Sequence, residues 1–406
     1  MKIGIAAPVE TSSIADLLGK AADQAPAGYR GAPFIGVLAR ALLARGHQVS
    51  LYTTDNSLLP TQRQPLVIHG DHISVYYCPS RQHSFRPQNG MLGRMLDFFK
   101  FERNGLLHAI EQDNPEIVHA HWAYEFAWAA LDSKRPNVIS FHDAPGQVLR
   151  YMPDLYRMGR YFMTRRTVRE ARFLTTVSPY MQQKLESWCG RTFELVPNPI
   201  AKEWFASAKS IEARDLSKPN IAMVLNGWNK LKNPEPALRA FGRVRAAIPS
   251  AQLHLFGRDF GTDERAQRWC HDNNLGKNIV FHGMVTYDQL RAHLAQMTLL
   301  VHPALEESFG MSLAEAMALA LPVIGGQASG AVPWVCDGGK AGALVDVQSE
   351  QAIADAVFQI LADPSAYAVI AKQAQSSALR RFSTAAVAES YEICYDQAIS
   401  AECKRC

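Results

Sequence analysis

Short apolar, β-branched runs alternate with longer amphipathic stretches along this chain, in two series separated by one polar interruption. A strand that reads as an almost unbroken apolar run is covered on both faces. A helix between two such strands is the connection that lets them pair in parallel. The first series has strand candidates at Lys2–Ala7, Gln48–Thr53, Ile73–Tyr77, Glu116–Ala120, Asn137–Phe141, Phe173–Val177 and Phe193–Val196. Helix candidates lie between them at Pro33–Arg45, Leu92–Gln112, Glu125–Ser133, Leu155–Glu170 and Pro179–Cys189. The first of these has Pro in its opening turn and Gly46 just past its end. Residues 198–218 break the rhythm, from Asn198-Pro199 through a Lys/Ser/Ala-rich stretch to Lys218-Pro219, and read as an inter-domain connection. The alternation then resumes from Ile221–Leu225 and ends in helical stretches at Ser349–Ala362, Pro364–Arg381 and Thr384–Ser400. The pattern predicts an α/β chain of two Rossmann-like doubly wound halves facing a central cleft, where the carboxyl ends of strands bind ligands.

Composition supports two cores and removes several classes. A chain of 406 residues, 48% hydrophobic and 20% charged, suffices for two ordinary domains. No uncharged apolar run reaches the roughly eighteen residues of a membrane span, and Met1-Lys2-Ile3-Gly4-Ile5 enters a strand without a signal-peptide pattern. The seven cysteines are odd in number and scattered, which suits a reducing compartment, so a cytoplasmic enzyme is expected. Cys403 and Cys406 form a Cys-x-x-Cys pair without further ligands nearby and read as a solvated tail, so no metal is expected. A net charge of +4 is too small to suggest nucleic acid. Its placement is informative. Residues 149–172 hold seven arginines against Asp154 and Glu170, interleaved with Tyr151, Met152, Leu155, Tyr156, Met158, Tyr161, Phe162 and Met163. Two readings stay open: an anionic membrane surface or acceptor, and a helix with one core face and one solvated arginine face.

Chemistry concentrates in residues 302–317, His-Pro-Ala-Leu-Glu-Glu-Ser-Phe-Gly-Met-Ser-Leu-Ala-Glu-Ala-Met. A strand ends, the chain turns at Gly310, and a helix starts near Ser312. Free amides at such a start attract phosphate, and glycine lets a ligand approach the backbone. Glu307 and Glu315 flank the turn; carboxylates are poor phosphate ligands but good acceptors for sugar hydroxyls. The competing reading is a capping box, Ser312 with Glu315 three residues on. In the first half, Val118-His119-Ala120-His121-Trp122 and Ser140-Phe141-His142-Asp143 put histidines at two strand ends.

Glu307-x7-Glu315 within Glu-Ser-Phe-Gly-Met-Ser-Leu-Ala-Glu-Ala-Met resembles the signature of retaining GT-B glycosyltransferases, family four in particular. The resemblance implies that Glu307 contacts the donor sugar, Glu315 the nucleotide ribose, and the Gly310, Met311 and Ser312 backbone the diphosphate, with Phe309 in the same segment. Asn226-Gly227-Trp228-Asn229-Lys230-Leu231-Lys232 resembles the family's Gly-Arg…Lys-Gly turn, so Gly227 and Lys232 join the donor site. Trp228 stands at the Arg position, which leaves Lys230 or Arg258 as substitute cations; Met284 completes the implied donor contacts. His121 matches the family's cleft histidine beside the donor sugar. With Glu307 and Lys232 it is implied to be catalytic, while Arg30, Gly31, His142 and Asp143 are implied on the acceptor side. Pro197-Asn198-Pro199 resembles the hinge motif, and Gln327–Trp334 the loop near the nucleotide.

The implied architecture is GT-B: an acceptor domain of 1–200, a donor domain of 201–382, and a helix within 383–406 crossing back to the first domain. The implied reaction moves a sugar from a UDP- or GDP-sugar to a glycan or lipid-linked hydroxyl, with retention and without a metal cofactor. Surface polysaccharide or glycoconjugate synthesis at the inner face of the membrane would be its setting. The alternatives are a sugar-nucleotide epimerase or hydrolase on the same fold, and a non-catalytic sugar-nucleotide-binding partner favoured by the missing Arg. A nicotinamide oxidoreductase is opposed by the lack of Gly-x-Gly-x-x-Gly after the first strand.

Overall fold

The computed structural model describes residues 1–58, 61–62 and 64–403; Cys406 and the side chain of Cys403 lie outside what it describes. The chain divides into two compact units, residues 1–199 with 384–406, and 200–383.

The first unit holds eight strands: β1 Lys2–Ala6, β2 Gln48–Asp55, β3 Leu66–His69, β4 Ile73–Pro79, β5 Ile117–His121, β6 Asn137–Phe141, β7 Phe173–Thr176 and β8 Glu194–Leu195. They order as β3-β4-β2-β1-β5-β6-β7-β8. All neighbours are parallel except β3 and β4. Central strands are apolar and buried, as Ile3, Ile5, Val49, Leu51, Val118 and Ile139 show, because helices cover both faces. Helix Thr384–Cys403 belongs to this unit. Buried Tyr391 and Tyr395 seat it, with the Tyr395 hydroxyl 2.8 Å from His119 Nδ1 and the Tyr391 hydroxyl 3.2 Å from Ser140 Oγ.

The second unit holds β9 Asn220–Val224, β10 Gln252–Phe256, β11 Ile279–Gly283, β12 Leu299–His302, β13 Val323–Gly326 and β14 Gly342–Val345. Their order is β11-β10-β9-β12-β13-β14, and every pairing is parallel. The order turns back between β9 and β12, so the chain ends after these two strands frame a crevice where ligands bind in such sheets. One core runs from Ile221, Met223 and Leu253 through Leu238 and Phe241 to Ile353 and Val357.

Several helix ends follow from local chemistry. Asp154 accepts from the Arg157 amide at 2.8 Å and opens helix Leu155–Glu170. Ser178 does the same from Met181 at 3.2 Å, with Pro179 in the first turn of Pro179–Cys189. Three expectations are corrected. Helix Leu92–Gln112 begins only at Lys100, because Phe98 and Phe99 hold φ of 52° and 59° and break the helical path. The short antiparallel edge strand β3 was not expected; only Ile68 of its four residues is buried, too weak a pattern to read. Residues 200–218 are not a free connection but part of the second unit. Trp204 there is fully buried, and Arg214 Nη2 donates to the Leu319 carbonyl at 2.6 Å. No single helix among the described residues is long and apolar enough to cross a membrane.

Candidate active site

In the second unit the candidate donor residues gather at the carboxyl ends of β9 to β12. After β12, residues 303–310 lead into helix Met311–Ala318. Its N-cap is Gly310 at φ 92°, ψ 64°, with no side chain capping the helix. A Cβ at Gly310 would lie 3.0 Å from Leu313 Cδ1 in a left-handed conformation that side chains resist. The capping box is therefore absent: Ser312 sits inside the first turn, its Oγ 3.4 Å from His302 Nδ1. Leu313 and Ala314 both donate to the Gly310 carbonyl, so the amides of Met311 and Ser312 stand at the open, positive end of the helix.

Glu307 lies before this start, its Oε1 2.5 Å from Lys232 Nζ and 3.2 Å from His302 Nε2. Desolvation alone would raise its pKa, but the His302 hydrogen bond and the Lys232 charge outweigh that and hold it down at about 2. Loop 226–233 is tied to this place by one backbone bond and by the Asn233 side chain. Leu305 N donates to Leu231 O at 2.8 Å, and Asn233 Nδ2 to Pro303 O at 3.0 Å and Val347 O at 2.9 Å. The 327–334 loop is fastened likewise, Ala331 N donating to Glu307 O at 2.9 Å. Glu315 is 4% exposed and accepts from the Tyr287 hydroxyl at 2.9 Å. Burial dominates its ionisation and raises it to about 7, against the opposing Tyr287 bond.

The other implied donor residues divide. Gly227, at φ 96°, donates to Arg258 O at 3.1 Å, and Arg258 is exposed just beyond β10; Met284, 66% exposed, follows β11. Phe309 is corrected in its side chain: 3% exposed, its ring packs against Trp334 and Phe382, which leaves only its backbone for a ligand. Trp228 is a core residue, 7% exposed and packed on Phe260 and Trp269 at centroid distances of 5.8 and 5.6 Å. It stands where the resemblance expects a cation, and its side chain is spent on packing. His302 and Tyr287 are site residues that sequence reasoning missed. His302 closes an apolar strand in the key motif, a signal that could have been weighed; Tyr287 carries no local sign.

In the first unit, His121 ends β5 at 1% exposure, and its Nδ1 lies 2.8 Å from His142 Nε2. His119 stacks behind it, centroids 4.1 Å apart, with Nε2 2.7 Å from Ser140 Oγ. Burial depresses all three, with neighbouring imidazoles adding to it for His119 and His121: His119 and His142 fall to about 3, and His121 well below its ordinary value. They are neutral at physiological pH. His121 Nε2 and His142 Nδ1 are buried without a hydrogen-bond partner. Phe34 closes the group, 4.9 Å from the His142 ring and 6.0 Å from that of His121. Asp143 accepts from the Tyr124 hydroxyl at 2.8 Å and lies 3.9 Å from Arg160, whose guanidinium sits 3.5 Å over the Tyr124 ring. Arg30 is exposed and Gly31 faces open space. The constrained glycine is Gly28, whose amide donates to Asp55 Oδ2 at 2.6 Å and whose Cβ would strike the Val9 carbonyl.

The arginine stretch forms two helices, Pro145–Tyr151 and Leu155–Glu170, and is less charged than its sequence suggests. Arg157 pairs with Asp154, Arg166 with Asp132 and Glu170, Arg169 with Glu170, and Arg172 with Glu402, while Arg160 faces Asp143.

Comparison with known proteins identifies the family. A family model described as Glycosyltransferase Family 4 matches residues 34–204, and one described as Glycosyl transferases group 1 matches 208–377; together they span most of the chain. The N-acetyl-alpha-D-glucosaminyl L-malate synthase of Bacillus anthracis is 25% identical over 308 residues, 70% of this chain and 75% of that protein. Sucrose-phosphate synthase from Thermosynechococcus elongatus superposes with a TM-score of 0.75 at 21% identity, covering 99% of this chain and 100% of that one. HepE of Anabaena in complex with UDP does so with a TM-score of 0.67 at 17% identity, covering 98% and 100%. These likenesses establish a GT-B fold of two parallel-sheet α/β units. Both family models and the named relative agree that the chain belongs to the family-four, group 1 glycosyltransferases and is itself a glycosyltransferase.

Proposed function

We propose that this enzyme transfers a glycosyl group, with retention, from a nucleoside diphosphate sugar to a hydroxyl of a glycan or lipid-linked acceptor. The observation that carries the reading is the join of Lys232, Glu307 and His302 at the open start of helix Met311–Ala318, with buried Glu315 on that helix. Lys232 and the Met311 and Ser312 amides form an anion site for the diphosphate, and Glu315 accepts from the ribose. Lys232 and Glu307 satisfy each other. When donor binds, the phosphates draw Lys232, and Glu307 turns to the sugar hydroxyls. The C1–O bond to the diphosphate then breaks and the acceptor oxygen bonds C1 from the same face, its proton passing to the departing phosphate oxygen. The protein mainly stabilises charge developing on the leaving group. His121, neutral and with one free ring nitrogen, is proposed as a hydrogen-bonding catalytic residue, and Arg30, Gly31, His142 and Asp143 as acceptor contacts.

Charge supplied by Lys232 and a helix start supports turnover without a metal ion. The UDP held by HepE of Anabaena favours a uridine nucleotide within the UDP/GDP choice. Synthesis of a surface polysaccharide or glycoconjugate, on the cytoplasmic face of an anionic membrane reached through residues 149–172, is the setting proposed. A panel of UDP- and GDP-sugars, with nucleotide release followed with and without candidate acceptors, tests the reading. Release that depends on acceptor supports transfer. Equal release without acceptor would make the protein a hydrolase, and no binding of any sugar nucleotide would remove the donor site.

A further inference from the structure

The short helix Lys202–Ala206 follows the point where the chain enters the second unit. Its start is fixed by backbone: Ile200 N donates to Phe382 O at 2.7 Å, and Trp204 N to Ala201 O at 3.1 Å. Trp204 is its buried residue, completely enclosed, and no fully buried side chain among the described residues is larger. A single turn of helix with one such anchor has no apolar face of its own, so what it contributes is the place of the indole. The helix packs against Met311–Ala318, which carries Glu315. The indole lies against the ring of Tyr287, centroids 5.3 Å apart and planes tilted by 59°. Tyr287 in turn donates to Glu315 at 2.9 Å. Three elements remote in sequence thus meet in a line that ends at Glu315.

The indole N–H is the part of this line that packing does not explain. Leu or Phe would fill a core as well, whereas a buried indole brings a donor that needs a partner. Trp204 Nε1 is buried and makes no hydrogen bond, a state that costs stability unless it serves something. Its effect is felt at the neighbouring phenol. Burial, then the Glu315 charge, raise the Tyr287 hydroxyl well above its ordinary pKa, and the Trp204 N–H opposes them. The donor therefore stands beside the phenol oxygen but out of line for a full bond. A phenol that gives its proton to a carboxylate still has lone pairs, and they accept more strongly as that carboxylate gains charge. The other charges at this place are settled. Arg291, on the helix of Tyr287, acts on that hydroxyl in the same sense as Trp204 and is paired with Asp288 at 3.1 Å. Glu315 itself feels burial first and, against it, the Tyr287 bond.

We propose that Trp204 is a positioning residue for the nucleotide: its indole N–H donates to the Tyr287 oxygen when Tyr287 donates to ionised Glu315. The three then form one hydrogen-bonded chain aimed at the ribose. The chain is slack while Glu315 holds a proton and draws taut when that proton goes to solvent; no other bond is made or broken. Glu315 then offers the ribose a carboxylate oxygen whose direction is set by Tyr287, and Tyr287 is held by Trp204. The ribose end of the chain rests on the transferase reading of the site; the link from Trp204 to Glu315 does not.

Calorimetry of UDP binding to the full chain across pH tests the proposal, because its sign is fixed. Trp204→Phe withdraws the donor, weakens the Tyr287 bond to the carboxylate and so raises the pH at which Glu315 ionises. The variant should bind UDP about three- to tenfold more weakly than wild type near pH 6.5 and equally well near about pH 9. Tyr287→Phe should shift the profile the same way, and Trp204→Phe/Tyr287→Phe no further, since Trp204 acts through that hydroxyl. Affinity lowered equally at every pH, or shifts that add, would leave Trp204 a packing residue and overturn the proposal. A second arm uses no variant at 204 and decides the matter even where Trp204→Phe fails to fold. In the nucleotide-free chain one indole N–H resonance should move as pH passes about 7 and hold still in Tyr287→Phe. UDP binding without a titrating indole sinks the link alone. A titrating indole in a chain that binds no UDP keeps the link and sinks the nucleotide reading.

Discussion

Glu307 and Glu315 sit eight residues apart on one turn and helix, yet their environments drive their ionisation in opposite directions. Glu307, beside His302 and Lys232, is held at about 2; Glu315, buried with a single tyrosine hydroxyl, is raised to about 7. If Glu315 serves the ribose as a carboxylate, the stronger acceptor, nucleotide binding below about pH 7 has to expel a proton from it. Affinity for UDP should be steady above that value and fall about tenfold for each pH unit below it. Tyr287→Phe removes the hydrogen bond that favours the carboxylate and should move the midpoint upward. Glu315→Gln should abolish the pH dependence and weaken binding by about 1.5–3 kcal/mol. Calorimetry across pH checks all three; a flat profile for the wild type would take Glu315 out of the site. Lys232 has a separate signature. Lys232→Met should lower kcat by about a hundredfold or more, the scale of losing one group that stabilises developing negative charge. Steady-state kinetics showing a changed KM with kcat intact would give Lys232 a role in binding only.

At the scale of elements, loop 226–233 shows how sequence and structure part company. Helix Pro234–Ala247 after it carries Pro in its first turn, and the strand before it was legible, because an apolar β-branched run is a local signal. The side chain of Trp228 was not. Its place in a core with Phe260 and Trp269 depends on β10 and on helix Arg265–Asp272, both distant in sequence. Trp228→Arg, which restores the family's residue, is therefore expected to destabilise by about 3 kcal/mol or more and not to raise activity. Urea denaturation and kinetics measure both. Similar reasoning explains the other gaps. Glu307, Gly310 and Glu315 were legible from one continuous motif, whereas Tyr287 reaches Glu315 from another helix. The loop before Lys100 reads as helix because its apolar spacing is helical, while the determinants of its turn, Arg81 and the two phenylalanine backbones, act from outside the periodic pattern. The start of helix Met311–Ala318 supplies the last element-scale expectation. If its amides and Lys232 neutralise the diphosphate, turnover persists in excess EDTA, and loss restored by Mg²⁺ would overturn that charge scheme.

On the scale of the whole molecule, the chain enters the second unit after Pro199 and leaves it before Thr384. The two passages lie side by side: Ile200 N donates to Phe382 O at 2.7 Å, and Ile200 bridges Ser383 in parallel. Residues 200–383 are thus an insert whose ends meet, within a host that resumes its own core at Tyr391 and Tyr395. An insert of this kind is a cassette. It can be cut out at one point and replaced without lengthening either crossing, so, on the proposed division of roles, recombination would exchange what the enzyme donates while leaving what it accepts untouched. Residues 200–383 produced alone should fold and bind UDP with the affinity of the full chain, as calorimetry would report. A transplant between family members should carry donor choice with it, whereas a fragment that folds but fails to bind would mean the cassette is incomplete without its host.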